Sequence, residues 1–352
     1  MCAGDHHDHA GALSSAPRAA DGPATDPISL QPVDEVVVTT LVDNSYDALV
    51  GDVGPARRAS PMRLPVRSVP AAHYAEGSTA AALRAEHGFS ALITVRRGDR
   101  AHTLLFDTGV SPDGLAANME VLGLDAGAIT AVVLSHGHFD HSGGIPGLAR
   151  LCRSGLPMVL HPLVWTARRL ALPGQPEWRM PTLSRRGIEA EGFEVVERQW
   201  PSLLLDGSLL VTGEVDRTTD FERGMPFHEA LGPDGWQPDP LIVDEQAVVV
   251  HLRGKGLVVI TGCGHAGAVN ICRHAMRLTG VPTLTALIGG FHLTGPAFEP
   301  IIEPTVDALT GLGPELLVPA HCTGWKAQHR LAAAAPGAFV PNAVGTSFSL
   351  AA

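Results

Sequence analysis

The chain has 352 residues, 45% of them hydrophobic and 17% charged, with 39 Gly and 28 Pro. That length holds one large domain or two small ones, and the composition suits a loop-rich globular enzyme and excludes wholesale disorder. A formal net charge of -11 argues against a nucleic-acid-binding surface, and no apolar run approaches the roughly 18 to 20 residues that a membrane helix needs.

Residues 1–33 are rich in Ala, Gly, Pro, Ser and Asp and lack the basic start and apolar core of a signal peptide. They read as a flexible tail on a cytoplasmic protein. The tail carries Asp5-His6-His7-Asp8-His9, which can bind a metal ion only by giving up chain entropy, so a plain solvated tail is the simpler reading. Residues 34–352 are expected to form one domain. Residues 35–42 are β-branched and predict the first strand. After a polar, Pro-containing connection, residues 80–87 predict a helical turn, 89–96 and 101–106 a strand pair, 115–122 a helix, and 129–134 a further strand.

Residues 145–152 predict a helix and 158–160 a short strand. Residues 165–245 are crowded with Pro, Gly and Arg and read as an insertion or cap on the same domain, with short strands such as 193–196 and 208–211. A hairpin follows at 247–252 and 257–261. Helices are predicted at 269–278, 304–312 and 330–335, strands at 284–288 and 316–318, and a last strand within 338–350. The five cysteines, Cys2, Cys152, Cys263, Cys272 and Cys322, are odd in number and scattered, unlike a disulfide framework.

The strand at 129–134 runs into His136-Gly137-His138-Phe139-Asp140-His141. Imidazoles and a carboxylate are ligands for zinc and its neighbours, and loops at strand ends are where catalytic groups are usually mounted. His136 and His138, two apart, can point the same way from an extended loop; Asp140 and His141 fall on the next turn. That split serves two ions, one per pair, and Asp140 is also the candidate catalytic carboxylate. Histidine recurs at other strand ends, at His265, His292 and His321.

Phe106-Asp107-Thr108-Gly109, the run Ser135-His136-Gly137-His138-Phe139-Asp140-His141-Ser142-Gly143-Gly144, and the strand-end His265 and His321 resemble the metallo-β-lactamase-fold superfamily. The resemblance covers roughly residues 35–350. Finer features, Glu86-His87-Gly88-Phe89-Ser90, Thr261-Gly262-Cys263-Gly264-His265, Gly289-Gly290-Phe291-His292-Leu293 and His321-Cys322-Thr323-Gly324, are similar to the dihydropterin ribofuranosyl-aminobenzene phosphate synthase-like branch. The resemblance implies an α/β fold, a four-layer αβ/βα sandwich. It implies His136, His138, Asp140, His141 and His321 as metal ligands and Asp107 as a carboxylate steering a ligand histidine. The cofactor expected is one or two zinc ions, with manganese or iron fitting the same donors.

The chain departs from the superfamily pattern in two places. Where a bridging Asp usually follows the strand at 257–261, it has Cys263, which is either a soft thiolate ligand or a small residue in a tight turn. A third histidine for the first ion usually comes from upstream, but His228 and His251 sit in no motif; His265 is expected to fill that place. His292 and His87 are candidate metal or substrate contacts, and Cys322 either lines the site or is an inert buried thiol. The expected function is hydrolysis of an ester, lactone or phosphoester-type small molecule by a metal-bound hydroxide. The alternatives are a synthase or transferase on a phosphorylated pterin-like substrate, an iron-dependent oxidoreductase, and a degenerate scaffold. Arg168, Arg169, Arg179, Arg185 and Arg186 would favour a phosphorylated substrate if they cluster at the pocket. Neither a nucleic-acid nor a membrane partner is expected, and the sequence leaves the oligomeric state open.

Overall fold

The computed structural model describes residue 22, residues 26–60 and residues 67–352. Asp5-His6-His7-Asp8-His9 lies outside the described residues.

Two sheets form the centre. The first has eight strands in the order Phe193–Glu197, Leu156–Leu160, Ile129–Val133, Arg100–Phe106, Ser90–Arg97, Glu35–Val42, Ser347–Ala351, Ala56–Arg57. The second has six, in the order Ser202–Leu204, Leu209–Val211, Val248–Leu252, Gly256–Thr261, Leu284–Gly290, Leu316–Ala320. The first four strands of sheet one run parallel, as do the last three of sheet two.

Period-two geometry explains the apolar runs. In the strand Ile129–Val133, Ala131 and Val133 face the second sheet, while Val132 and the following Leu134 face outward onto a helical layer. In Val248–Leu252, Val248, Val250 and Leu252 face inward and Val249 outward. Both faces of each sheet are therefore buried, and neither strand shows polar alternation. The outer layer on sheet one contains Leu115, Met119, Leu148 and Ile188 from helices Gly114–Leu122, Ile145–Ala149 and Arg185–Ala190. The layer on sheet two contains Ile271, Val306 and Leu331 from helices Ala268–Thr279, Ile302–Gly311 and Trp325–Ala334. The result is the expected four-layer sandwich. Among the described residues, no helix is long and apolar enough to cross a membrane.

Three sequence-based expectations need revision. Residues 81–86 form no helix; their backbone groups bond elsewhere, Ala81 N–H to Arg67 O and Glu86 N–H to Asp43 O. Residues 78–80 instead pair with 68–70 as a two-stranded hairpin. Residues 165–245 are not one insertion, because Phe193–Glu197, Ser202–Leu204 and Leu209–Val211 belong to the main sheets. The cap proper is a separate four-stranded sheet, Trp178–Arg179, Arg168–Leu170, His228–Gly232, Gly235–Pro238, in which Arg169 lies over the Trp236 ring. Packing also extends N-terminal of residue 34. Leu30 and Val33 are buried, and the Val33 N–H bonds to His251 O.

Candidate metal centre

The parallel strands of both sheets end at one edge, the crevice where ligands of open α/β sheets bind. Asp107 follows Phe106, Ser135 and His136 follow Val133, Cys263 and His265 follow Thr261, His292 follows Gly290, and His321 follows Ala320. Loops 107–110 and 142–144 approach backbone to backbone: a Cβ on Gly143 would overlap Val110 O, and one on Gly144 would overlap Thr108 O. The two glycines after the histidine cluster let it sit against the Asp107 turn.

Asp107 is fully buried and organises this side. It accepts from Ser135 N–H at 2.6 Å and Ser135 Oγ at 2.7 Å, and its Oδ2 lies 2.7 Å from His141 Nδ1. The other nitrogen of His141, Nε2, is left to face Asp140 Oδ2 at 3.8 Å. Burial alone would lower the His141 pKa, but Asp107 and Asp140 overcome it and raise the group to about 9. Burial would raise the Asp140 carboxyl, yet His141 and His321 hold it well below the usual range. Burial, with neighbouring histidines adding to it, keeps His136 and His265 neutral.

Several buried ring nitrogens have no hydrogen-bond partner: Nε2 of His136 and His141, and both nitrogens of His265; His321 Nε2 faces Asp140 Oδ2 at 3.3 Å. An unsatisfied buried polar atom costs about 1–3 kcal/mol, so such a concentration calls for a cation. Among the described residues, four side-chain groups have ligand atoms within 4.8 Å of one another: His136, Cys263 and His265; His141, Cys263 and His321; Cys263, His292 and Cys322; His87, Asp140 and His321. Cys263 belongs to three of the four and lies between the two histidine sets. These donors fit a metal centre.

The candidate ligands of the histidine cluster and of the strand ends at 263–265, 292 and 321 are brought to this edge, whereas His251, paired with Leu257 at the start of the strand Gly256–Thr261, is not. His321 donates its N–H to Asp43 Oδ1 at 2.7 Å, and its Nδ1 lies 3.2 Å from Asn44 Oδ1. His87 is exposed at the rim, with Nε2 3.5 Å from Asp140 Oδ2. His292 Nδ1 lies 3.1 Å from Cys263 Sγ.

His228 was weighed only as an upstream candidate without a motif, and the structure places it here. Its Nε2 is 3.1 Å from His138 Nε2, and its Nδ1 is 2.8 Å from Asp239 O. With Nδ1 donating to that carbonyl, Nε2 presents a lone pair to the space shared with His138. Glu245 escaped the sequence reading altogether. Its carboxylate accepts from the N–H groups of Gly264, His265 and Ala266 at 2.7, 2.8 and 2.5 Å and sets the His265 loop. Of the five arginines, Arg168 is bound in two-pronged fashion by Asp244, Arg169 pairs with Glu177 and Glu229, and Arg185 with Glu189 and Glu197. No arginine cluster opens on the centre from these three.

A four-layer sandwich with histidines and a carboxylate gathered at the sheet edge defines the metallo-beta-lactamase class of fold. The family model of the metallo-beta-lactamase superfamily matches residues 84–273, and the chain belongs to that superfamily. Within it the chain falls with the synthase-like branch. It is 30% identical over 250 residues to 7,8-dihydropterin-6-methyl-4-(beta-D-ribofuranosyl)-aminobenzene-5'-phosphate synthase of Methanocaldococcus jannaschii, covering 69% of this chain and 83% of that protein. An uncharacterized protein of the same organism is 27% identical over 249 residues, covering 70% of this chain and 88% of its own length. The crystal structure of Tm1679, described as a metal-dependent hydrolase of the beta-lactamase superfamily, superposes with a TM-score of 0.65 at 23% identity. That match covers 90% of this chain and all of the other.

Proposed function

We propose that the chain is a metal-dependent hydrolase acting on an ester, lactone or phosphoester bond of a small molecule. The observation that carries this reading is the set of buried, unpartnered imidazole nitrogens gathered around Cys263 and Asp140. Neutral imidazole, carboxylate and thiol donors suit zinc first, and manganese or iron can use much of the same set. Bound there, such ions supply Lewis acidity and lower the pKa of coordinated water toward about 7. His136 and His138, joined by His265 and His228, would hold one ion. Asp140, His141 and His321 would hold the other, with Cys263 between them. Asp107 takes the Nδ1 side of His141, so Nε2 is the nitrogen that faces the centre and would give up its proton to bind an ion. Asp140, kept ionised, would hold its ion and could orient a water beside it by accepting a hydrogen bond. His87, exposed beside it, is placed to meet substrate.

A second reading, a synthase on a phosphorylated pterin-like substrate, is favoured by the name of the 30%-identical relative. Against it, Arg168, Arg169 and Arg185 are each taken by carboxylates and not turned to a phosphate. The test is metal quantification followed by a screen of phosphoesters, lactones and thioesters. Hydrolysis that disappears in His138→Ala and Asp140→Ala supports the proposal. Full metal content and full activity in both variants would overturn it, and turnover confined to a phosphorylated pterin-like precursor would move the function to the second reading.

A further inference from the structure

We propose that Cys263, His292 and Cys322 form a sulfur-rich site for a thiophilic metal ion of the zinc class, beside the histidine centre and sharing Cys263 with it. The three ligand atoms lie within 4.8 Å of one another. Cys263 Sγ is 3.0 Å from Cys322 Sγ and 3.1 Å from His292 Nδ1, and the cysteines are 3% and 5% exposed.

The backbone is shaped to bring these atoms together. A Cβ on Gly290 would meet Cys322 Sγ at 2.8 Å and Cys263 Cα at 3.0 Å, and one on Gly264 would meet Gly290 O at 2.6 Å. Only glycines allow the ends of three neighbouring strands to approach this closely. His292 itself sits at φ 45°, a left-handed conformation that is unfavourable for a residue with a Cβ. Its ring is held between Phe298 at 4.4 Å and His265 at 4.2 Å. Independently of the sulfurs, His265 is buried at this spot with neither ring nitrogen hydrogen-bonded.

Two thiols and an imidazole are a soft donor set, which selects zinc or copper(I) over magnesium, calcium or manganese. Three protein ligands leave one tetrahedral position open, the pattern of zinc sites that take substrate or solvent and not of closed structural ones. Loading releases the thiol protons to solvent and changes no oxidation state.

The inference rests on the metal-centre reading only through Cys263, and the experiment separates the two. The full chain is stripped of metal under reducing conditions and reloaded with cobalt(II). Bound metal per chain and the sulfur-to-cobalt charge-transfer absorption are then measured. The expected result is a band from two thiolates that falls by about half in Cys322→Ser, with loss of one ion per chain. Cys322→Ala, checked for fold by circular dichroism, repeats the measurement without a hydroxyl. In the wild-type chain, metal should also protect both thiols from an aromatic disulfide reagent, a readout that needs no variant. Cobalt bound without a charge-transfer band overturns the sulfur site and takes Cys263 out of the histidine centre, leaving the imidazoles and Asp140 to hold the ion alone. An unchanged band in both Cys322 variants, thiols equally reactive with and without metal, or a Cys263–Cys322 disulfide in the loaded protein each overturns it as well. A chain that binds no ion sinks both readings.

Discussion

Asp107 stands directly after the strand Arg100–Phe106 at φ 57°, and its one carboxylate serves the Ser135 backbone, the Ser135 hydroxyl and His141. Asp107→Ala would leave buried donors unpaired at about 1–3 kcal/mol each and put a Cβ without polar compensation in the left-handed region. We expect unfolding free energy in urea to fall by about 3 kcal/mol or more, and metal affinity to fall about 10–100-fold. Asp107→Asn keeps the shape and tolerates the backbone. Its amide cannot accept from both Ser135 and His141, so metal titration should still show the loss while stability changes less. A second residue-scale prediction concerns His274, far from the centre and 4% exposed. Its Nδ1 accepts from the Asp216 N–H at 3.2 Å and lies 2.8 Å from an Arg277 guanidinium nitrogen. Burial, with Arg277 adding to it, lowers its pKa to about 4. Because the unfolded chain takes up the proton first, near the ordinary value of about 6.5, this contribution is complete above that pH. It drains away as pH falls toward 4, by at most about 3 kcal/mol. Urea midpoints followed over that range should fall more steeply for the wild type than for His274→Gln; parallel profiles would refute the assignment.

At the scale of elements, the segment Asp244-Glu245-Gln246 ties the two halves of the centre together. Asp244 accepts from Gly137 N–H at 2.9 Å, Glu245 from the three N–H groups of the His265 loop, and Gln246 N–H donates to Ser135 O at 2.9 Å. Glu245→Gln replaces one of two accepting oxygens with a donor facing N–H groups. Thermal unfolding should report a loss of about 1–3 kcal/mol, and metal titration a weaker centre. Gly289, at φ 127°, pairs with Thr261, and a Cβ there would overlap Thr261 O. Gly289→Ala should cost several kcal/mol or prevent folding. Gly311→Ala, at a helix end with nothing within 4 Å, should be neutral or stabilising by about 0.5 kcal/mol. The contrast shows what the sequence could convey. His136 to His141 announce themselves because their spacing is local and they end an apolar strand. Asp244-Glu245-Gln246 carries no local signal, because its bonds cross up to 112 positions. His228 meets His138 across 90 positions from a cap strand whose own pattern is short and polar. The expected helical turn at 80–87 does not form because long-range bonds from Glu86 N–H to Asp43 O and from Arg84 N–H to Asn118 Oδ1 decide the path of the chain.

For the whole molecule, the centre is a bond between two sheets. His136, His138 and His141 hang from the first, while Cys263, His265 and His321 hang from the second, with the buried inter-sheet layer of Phe106, Val133, Ile260, Ile288 and Val318 behind them. An ion held from both sides binds the folded state alone, so at a hundredfold excess over its dissociation constant it adds about 2.7 kcal/mol. Chelation should therefore lower the unfolding temperature as one cooperative transition, and restored zinc should raise it again. Because the inter-sheet core is apolar and independent of metal, the chelated protein should remain folded. Its added hydrogen exchange should be confined to loops 135–144, 262–267, 290–293 and 321–324. Exchange spread evenly through the strands would mean that the metal supports the core itself. An unfolding temperature indifferent to both chelator and zinc would mean that these histidines hold no ion.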